Sequence, residues 1–185
     1  MNNLSGKLVL VQSDITKLKL DAICNAANEK LLGGGGVDGV IHRKAGIKLY
    51  QECKTLGGCE PGDAKITGGY RLPSRHIIHT VGPRGEDSEV LRSCYVKSLE
   101  LLVENNLRTI AFPCISTGIF GYPNERAAQV ALKAVVDFLK DNSDKVDQVT
   151  FCTFLDKDYE IYDKLLEDYQ LEVEGTSSDD KEESL

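Results

Sequence analysis

The sequence predicts an α/β fold, a three-layer α/β/α sandwich with a largely parallel sheet. Three observations carry that prediction. Strand-length apolar runs alternate with helix-length segments along the chain. The strand segments read as near-continuous hydrophobic stretches, as strands covered on both faces do. Neither an internal repeat nor a linker interrupts the alternation, and 185 residues are most economically one domain, expected over 1–170.

Lys7–Gln12 reads as the first strand and Ala22–Ala26 as a second, short and buried one. Val37–Leu56 reads as one helix, because Ile41, Ala45, Leu49 and Cys53 recur at helical spacing, and Gly57-Gly58 stops it. Asp63–Tyr70 and His76–Val81 read as strands around the turn Arg71-Leu-Pro-Ser-Arg75. After the turn Gly82-Pro-Arg-Gly85, Ser88 is the expected N-cap of a helix from about Glu89 to Asn105. Val90, Leu91, Cys94, Tyr95, Leu99, Leu101 and Leu102 keep its helical period. Thr109–Ile115 is apolar almost throughout and reads as a central strand. Tyr122-Pro-Asn-Glu125 opens a helix to about Lys140, with Pro123 suited to its first turn. Val146–Phe154 is the last strand and Asp158–Tyr169 the last helix. In such sheets ligands gather beyond the carboxyl ends of the strands. The loops after Ala26, Ile115 and Phe154 therefore converge on one expected crevice.

Composition narrows the class. No apolar run approaches a membrane span, and the first residues lack the apolar core of a secretory signal. The six cysteines stand without a Cys-x-x-Cys pair, which argues against a zinc ribbon or a disulfide scaffold. Packed, reduced thiols in a cytoplasmic or nuclear protein are expected. The net charge of −7 is local, since 167–185 hold eight acids and one base. The rest is neutral, so a basic nucleic-acid surface is not expected and nucleic acid is an unlikely partner. Residues 171–185 are expected to form an acidic, disordered tail.

Two loops carry chemistry. Asn25–His42 places two carboxamides, four consecutive glycines and an Asp/His pair just before and inside a helix start. Glycines let backbone approach a ligand closely and take positive φ, and a helix N-terminus with bare amides suits phosphates. Cys114-Ile-Ser-Thr-Gly-Ile-Phe-Gly-Tyr-Pro123 sets hydroxyls beside exposed amides, a combination able to wrap a pyrophosphate or simply to turn into a helix. Neither loop is a Walker or a dinucleotide fingerprint.

Gln12-Ser-Asp-Ile-Thr16, Asn25-Ala-Ala-Asn28, Leu31–His42, Ile77-Ile-His-Thr-Val-Gly-Pro83 and Pro113–Pro123 together resemble a macrodomain. Within that family the sequence is most similar to the MacroD-type ADP-ribosyl-acceptor hydrolases and O-acetyl-ADP-ribose deacetylases. The resemblance runs in order from about Lys7 to Tyr169. It implies a six-stranded mixed sheet between helices, with ADP-ribose across the strand ends. Asp14 is implied to accept from the adenine amino group, beside Ile15, although an N-cap or turn is the usual task of such an Asp. Phe154 is implied to pack on adenine, with a core aromatic as the equal alternative. Ser116, Thr117, Gly118, Ile119 and Phe120 correspond to the pyrophosphate loop; Gly34, Gly35, Gly36 and Val37 form the opposite wall, with Asn25 nearby.

Asn28, Asp38 and His42 form the implied reactive end. Asn28 would hold the distal ribose hydroxyls. Asp38, in a first helical turn whose dipole favours a carboxylate, would orient or deprotonate a water. His42 shares its helix face four residues on. His79, within an apolar strand, reads as a core residue and is left outside the set. Two departures from the family pattern stand out: Ser13 replaces a usual Gly, and Ile47 a common Pro.

The expected activity is removal of single ADP-ribose units from acidic side chains and deacetylation of O-acetyl-ADP-ribose, without metal or cofactor. Expected partners are ADP-ribose, O-acetyl-ADP-ribose and mono-ADP-ribosylated proteins, no membrane is involved, and the chain is expected to be a monomer. A non-catalytic ADP-ribose reader and an ADP-ribose 1″-phosphate phosphatase are the alternatives.

Overall fold

A computed structural model describes Leu4 and residues 6–176, the side chains of 171–176 excepted. Its strands are β1 (Leu8–Gln12), β2 (Ala22–Ala27), β3 (Ala64–Gly68), β4 (His76–Val81), β5 (Thr109–Phe112) and β6 (Gln148–Thr153). Its helices are α1 (Gly36–Ala45), α2 (Ile47–Thr55), α3 (Ser88–Glu104), α4 (Asn124–Asn142) and α5 (Asp156–Thr176). The strands form one sheet in the order β1-β6-β5-β2-β4-β3. Every pairing is parallel except the antiparallel edge β3–β4. The expected mixed α/β/α sandwich is what forms.

Alternation along the strands builds a core on each face. Ala22, Cys24, Ile78, Ile110, Phe112, Val149 and Phe151 face one core with α3, α4 and α5. Ile23, Ala27, Ile77, Val81, Ala111 and Cys152 face the other with α1 and α2. Asn25 and His79 share the parity of this second set, and β2–β4 pairing sets them side by side. Polar side chains thus enter the α1/α2 face in the middle of the sheet.

Three expectations about helix breaks and starts are corrected, and one short element was not foreseen. The helix expected over Val37–Leu56 is two helices, because Gly46 takes φ +92°. Its N–H closes α1 on His42 O, and the freed Ala45 O accepts Arg71 N at 3.3 Å. The expected apolar face survives the break: Ile41, Ala45, Leu49 and Cys53 are all buried. Asp87, not Ser88, caps α3, its carboxylate accepting from Val90 N. Pro123 is the extended residue before α4 instead of part of its first turn. A short 3₁₀ turn, Ile15–Lys17, follows β1 and had no apolar period to betray it.

The last helix continues to Thr176, past the expected end at Tyr169 and into the segment read as tail; residues 177–185 of that tail lie outside the described residues. All six cysteines are free, and all but Cys114 are buried, in line with packed thiols. Among the described residues no helix is long and apolar enough to cross a membrane.

Candidate functional site

The carboxyl ends of β1, β2, β5 and β6 open into a cleft of about 700 Å³. Each strand hands over to a loop that supplies one wall. Asp14, Ile15, Asn28, Gly34, Gly35, Gly36, Val37 and Asp38 line it, as do Ser116, Thr117, Gly118, Ile119, Phe120 and Phe154. Asn25 and His42 do not; both stand behind Asp38, and the structure makes them supports of the cleft and not its surface. Ser13, noted in the sequence only as a departure from the family pattern, and Ala26, Ala27, Val40, Pro113, Cys114, Cys152, Leu155 and Asp158, all outside the expected site set, complete the lining. Most are apolar or sulfur-bearing neighbours of singled-out residues and carried no chemical signal. Asp158 had one, its place in the first turn of a helix, and its carboxylate accepts from Asn124 Nδ2 at 2.6 Å.

At one end, Asp14 does the capping expected of a turn Asp. Its Oδ1 caps the 3₁₀ turn, accepting from Thr16 N at 3.0 Å and Thr16 Oγ1 at 2.6 Å, while Oδ2 accepts from Lys44 Nζ at 2.7 Å. The Lys44 ammonium, with the Thr16 hydroxyl, holds the carboxyl down to about 2, so this wall carries a fixed acceptor. Phe154 is 76 % exposed, which removes the core-aromatic alternative and leaves its ring as a rim surface.

The middle of the cleft is backbone. Gly33 and Gly36 take positive φ within the glycine run, and the N-cap of α1 is Gly35, which has no side chain to cap it, so the first amides of the helix are bare. Opposite, Ser116 is held at φ +65°, and its buried hydroxyl oxygen has no hydrogen-bond partner. Ile119 reaches across to Gly35, 4.0 Å from where a Cβ there would stand. Phe120 is fixed from outside: its carbonyl accepts from Gly85 N at 2.6 Å. The Arg84 guanidinium lies 4.5 Å above its ring and pairs with Glu29 at 3.2 Å.

The far end is the polar one. A Cβ on Gly34 would lie 3.2 Å from both Asn28 Nδ2 and Asp38 Oδ2, so the missing side chain opens space between a carboxamide donor and a carboxylate oxygen. Asn28 is itself fixed, its Oδ1 accepting from Lys30 N at 3.1 Å and its Nδ2 donating to Gly33 O at 3.4 Å. Asp38 is 3 % exposed. Its Oδ1 accepts from Asn25 Nδ2 at 2.8 Å and lies 3.5 Å from His42 Nε2. Burial raises the Asp38 pKa, opposed by the Asn25 hydrogen bond and by His42. The helix dipole was expected to favour the ionised carboxylate; burial works against that. A carboxylate so placed is a stronger base than an exposed one wherever it is ionised.

His42, Cys53 and His79 offer ligand atoms within 4.8 Å of one another. Both His79 nitrogens are already engaged, Nδ1 with Asn25 at 3.1 Å and Nε2 with Thr67 at 2.9 Å, and burial raises the Cys53 thiol to about 11. With both nitrogens of His79 engaged and the Cys53 thiol protonated, the trio does not fit a metal cage.

Comparison with known proteins agrees with this geometry. The Macro domain family model matches residues 24–131. The chain is 58 % identical over 174 residues to the ADP-ribose glycohydrolase MACROD2 of Xenopus laevis, covering 91 % of this chain and 42 % of that one. It is 56 % identical over 172 residues to the ADP-ribose glycohydrolase MACROD1 of Rattus norvegicus, covering 90 % of this chain and 67 % of that one. The chain thus spans roughly half the length of the curated relatives it matches. The Trypanosoma brucei macrodomain in complex with ADP-ribose superimposes with a TM-score of 0.86 at 44 % identity, covering 89 % of this chain and 73 % of that one.

Proposed function

The chain belongs to the Macro domain family, and from that premise we propose that it binds ADP-ribose in the cleft and hydrolyses the bond that joins the distal ribose to an acyl group. Its substrates are mono-ADP-ribose on acidic side chains of proteins and O-acetyl-ADP-ribose. Support comes from relatives named as ADP-ribose glycohydrolases and from the fold shared with an ADP-ribose complex.

One observation carries the enzymatic reading. Asp38 Oδ2 and Asn28 Nδ2 face the same pocket that Gly34 leaves open, one a desolvated acceptor and the other a donor. In this reading adenine lies between Phe154 and the Asp14 carboxylate. The diphosphate runs between the bare amides of α1 and the Ser116–Phe120 loop, and the distal ribose reaches Asn28. Asn28 donates to a ribose hydroxyl and Asp38 takes a proton from, or aims, the water that attacks. Burial places that step in a weakly screened medium, where one well-aimed dipole counts for more than in bulk water. A reader without turnover has no need of a buried carboxylate at that position.

The test is single-turnover release of ADP-ribose from a glutamate-linked mono-ADP-ribosylated protein. Wild type is expected to release it, while Asp38→Ala and Asn28→Ala bind ADP-ribose but lose about 10²-fold or more in rate. A wild type that binds the nucleotide and releases nothing overturns the hydrolase reading in favour of a reader.

A further inference from the structure

His79 is fully buried in β4, and the chemistry proposed above makes no use of it. Its two nitrogens are nevertheless spoken for. The Thr67 hydroxyl donates to Gly68 O at 3.1 Å, which leaves its lone pairs facing His79 Nε2 at 2.9 Å. Nε2 is therefore the protonated nitrogen; the alternative partner, Cys53 Sγ, lies farther off at 4.0 Å. Burial pushes His79 down to about 3, so the ring is neutral and carries one N–H. Nδ1 is left as an acceptor, and Asn25 Nδ2 stands 3.1 Å away. The same amide nitrogen donates its second hydrogen to Asp38 Oδ1 at 2.8 Å.

A buried amide set this way makes a sacrifice elsewhere: Asn25 Oδ1 has no hydrogen-bond partner. Turned over, the amide would place that oxygen against the Asp38 carboxylate and repel it. The orientation of one side chain thus depends on which nitrogen of its neighbour holds a proton, and that depends on a hydroxyl on the edge strand β3.

We propose that Thr67 and His79 are positioning residues, a one-way hydrogen-bond chain that keeps the Asn25 amide turned toward Asp38 and so leaves Asp38 Oδ2 facing the cleft. The proposal rests on the reading of Asp38 as the group that aims or activates water. No member of the pair lines the cleft, so ligand affinity and turnover separate cleanly.

The experiment combines ¹⁵N NMR of the histidine rings with single-turnover kinetics on the whole chain. In wild type, His79 is expected to carry its proton on Nε2 with Nδ1 bare. Thr67→Val removes the acceptor while keeping the shape; the proton is expected to move to Nδ1, and the hydrolysis rate to fall at least about tenfold. ADP-ribose affinity stays within twofold of wild type by order of magnitude. Thr67→Ser, which restores the hydroxyl, recovers rate and tautomer. A wild-type ring protonated on Nδ1, or a folded Thr67→Val with an unchanged rate, overturns the proposal. If Thr67→Val fails to fold, the wild-type ring tautomer still decides. A wild type without turnover rejects the hydrolase reading, while the tautomer reports on the chain by itself.

Discussion

At the scale of the residue, Asp38 carries an electrostatic cost that the proposed chemistry turns to use. Its pKa is raised, first by burial, against the pull of the Asn25 hydrogen bond and His42. An acid whose folded pKa exceeds its unfolded one holds its proton more tightly when folded. Stability therefore declines as pH rises from the unfolded value through the folded one, and at neutral pH the ionised group is a net burden. Asp38→Asn keeps an acceptor for Asn25 and removes the charge. Differential scanning calorimetry at neutral pH is expected to show a higher Tm for this variant than for wild type, with the gap closing in acid, while its hydrolysis rate is about 10²–10⁴-fold lower. A base must also be ionised to act, so the wild-type rate falls toward acid with a midpoint above that of an ordinary aspartate. A midpoint at the ordinary value would show that Asp38 is not the titrating group.

At the scale of the element, α1 sets the geometry of the glycine wall. Gly39 lies in the interior of this helix, where alanine normally adds about 1 kcal/mol of helix stability. Here a Cβ would come within 2.5 Å of Gly34 O, so the helix and the loop ahead of it touch backbone to side. Gly39→Ala is expected to push the loop outward. ADP-ribose affinity measured by calorimetry should weaken about tenfold, or ~1.4 kcal/mol, despite the better helix former; unchanged affinity would mean the loop yields without moving the cleft.

The same helix shows how far the sequence was legible. The spacing of Ile41, Ala45, Leu49 and Cys53 identified the buried face correctly, because side-chain burial follows the period even across a break. The break at Gly46 was hidden by that same period. Motifs rich in Gly, Asn and Ser marked the cleft walls, since backbone that approaches a ligand has few residue choices. His79 read as a core residue and is fully buried, but its hydrogen-bond partners were hidden for a different reason. Its partners come from β2 and β3, and only the pairing of Asn25 with His79 across β2–β4 reveals why a polar residue sits in that apolar strand.

At the scale of the whole molecule, the cleft joins parts that come from distant stretches of the chain. Its walls follow the four neighbouring strands β1, β6, β5 and β2. A ligand spanning it binds the folded state alone and stabilises it by mass action. In a thermal-shift series, ADP-ribose at 100 times its Kd is expected to add about 2.7 kcal/mol of stability. Asp38→Asn, whose adenine and phosphate contacts are intact in the proposed pose, is expected to retain most of that gain. No shift in Tm with ADP-ribose would refute binding in the cleft.

The order of the strands carries a consequence in time. β1 pairs only with β6, Leu8 against Val149 through Gln12 against Thr153, so the first strand waits for the last. Asp14 and Phe154, at the two sides of the proposed adenine seat, are separated by nearly the whole described chain and meet only through that pairing. Parallel contacts of such long sequence separation form late, since the loop they close must be ordered first. During synthesis the Gly34–Gly36 wall and the Ser116–Phe120 loop emerge well before β6, yet neither has an adenine seat to work with. On the proposed pose a growing chain is expected to be blind to ADP-ribose until the sixth strand is released, and ligand recovered on a ribosome-bound chain would mark the moment at which the sheet closes.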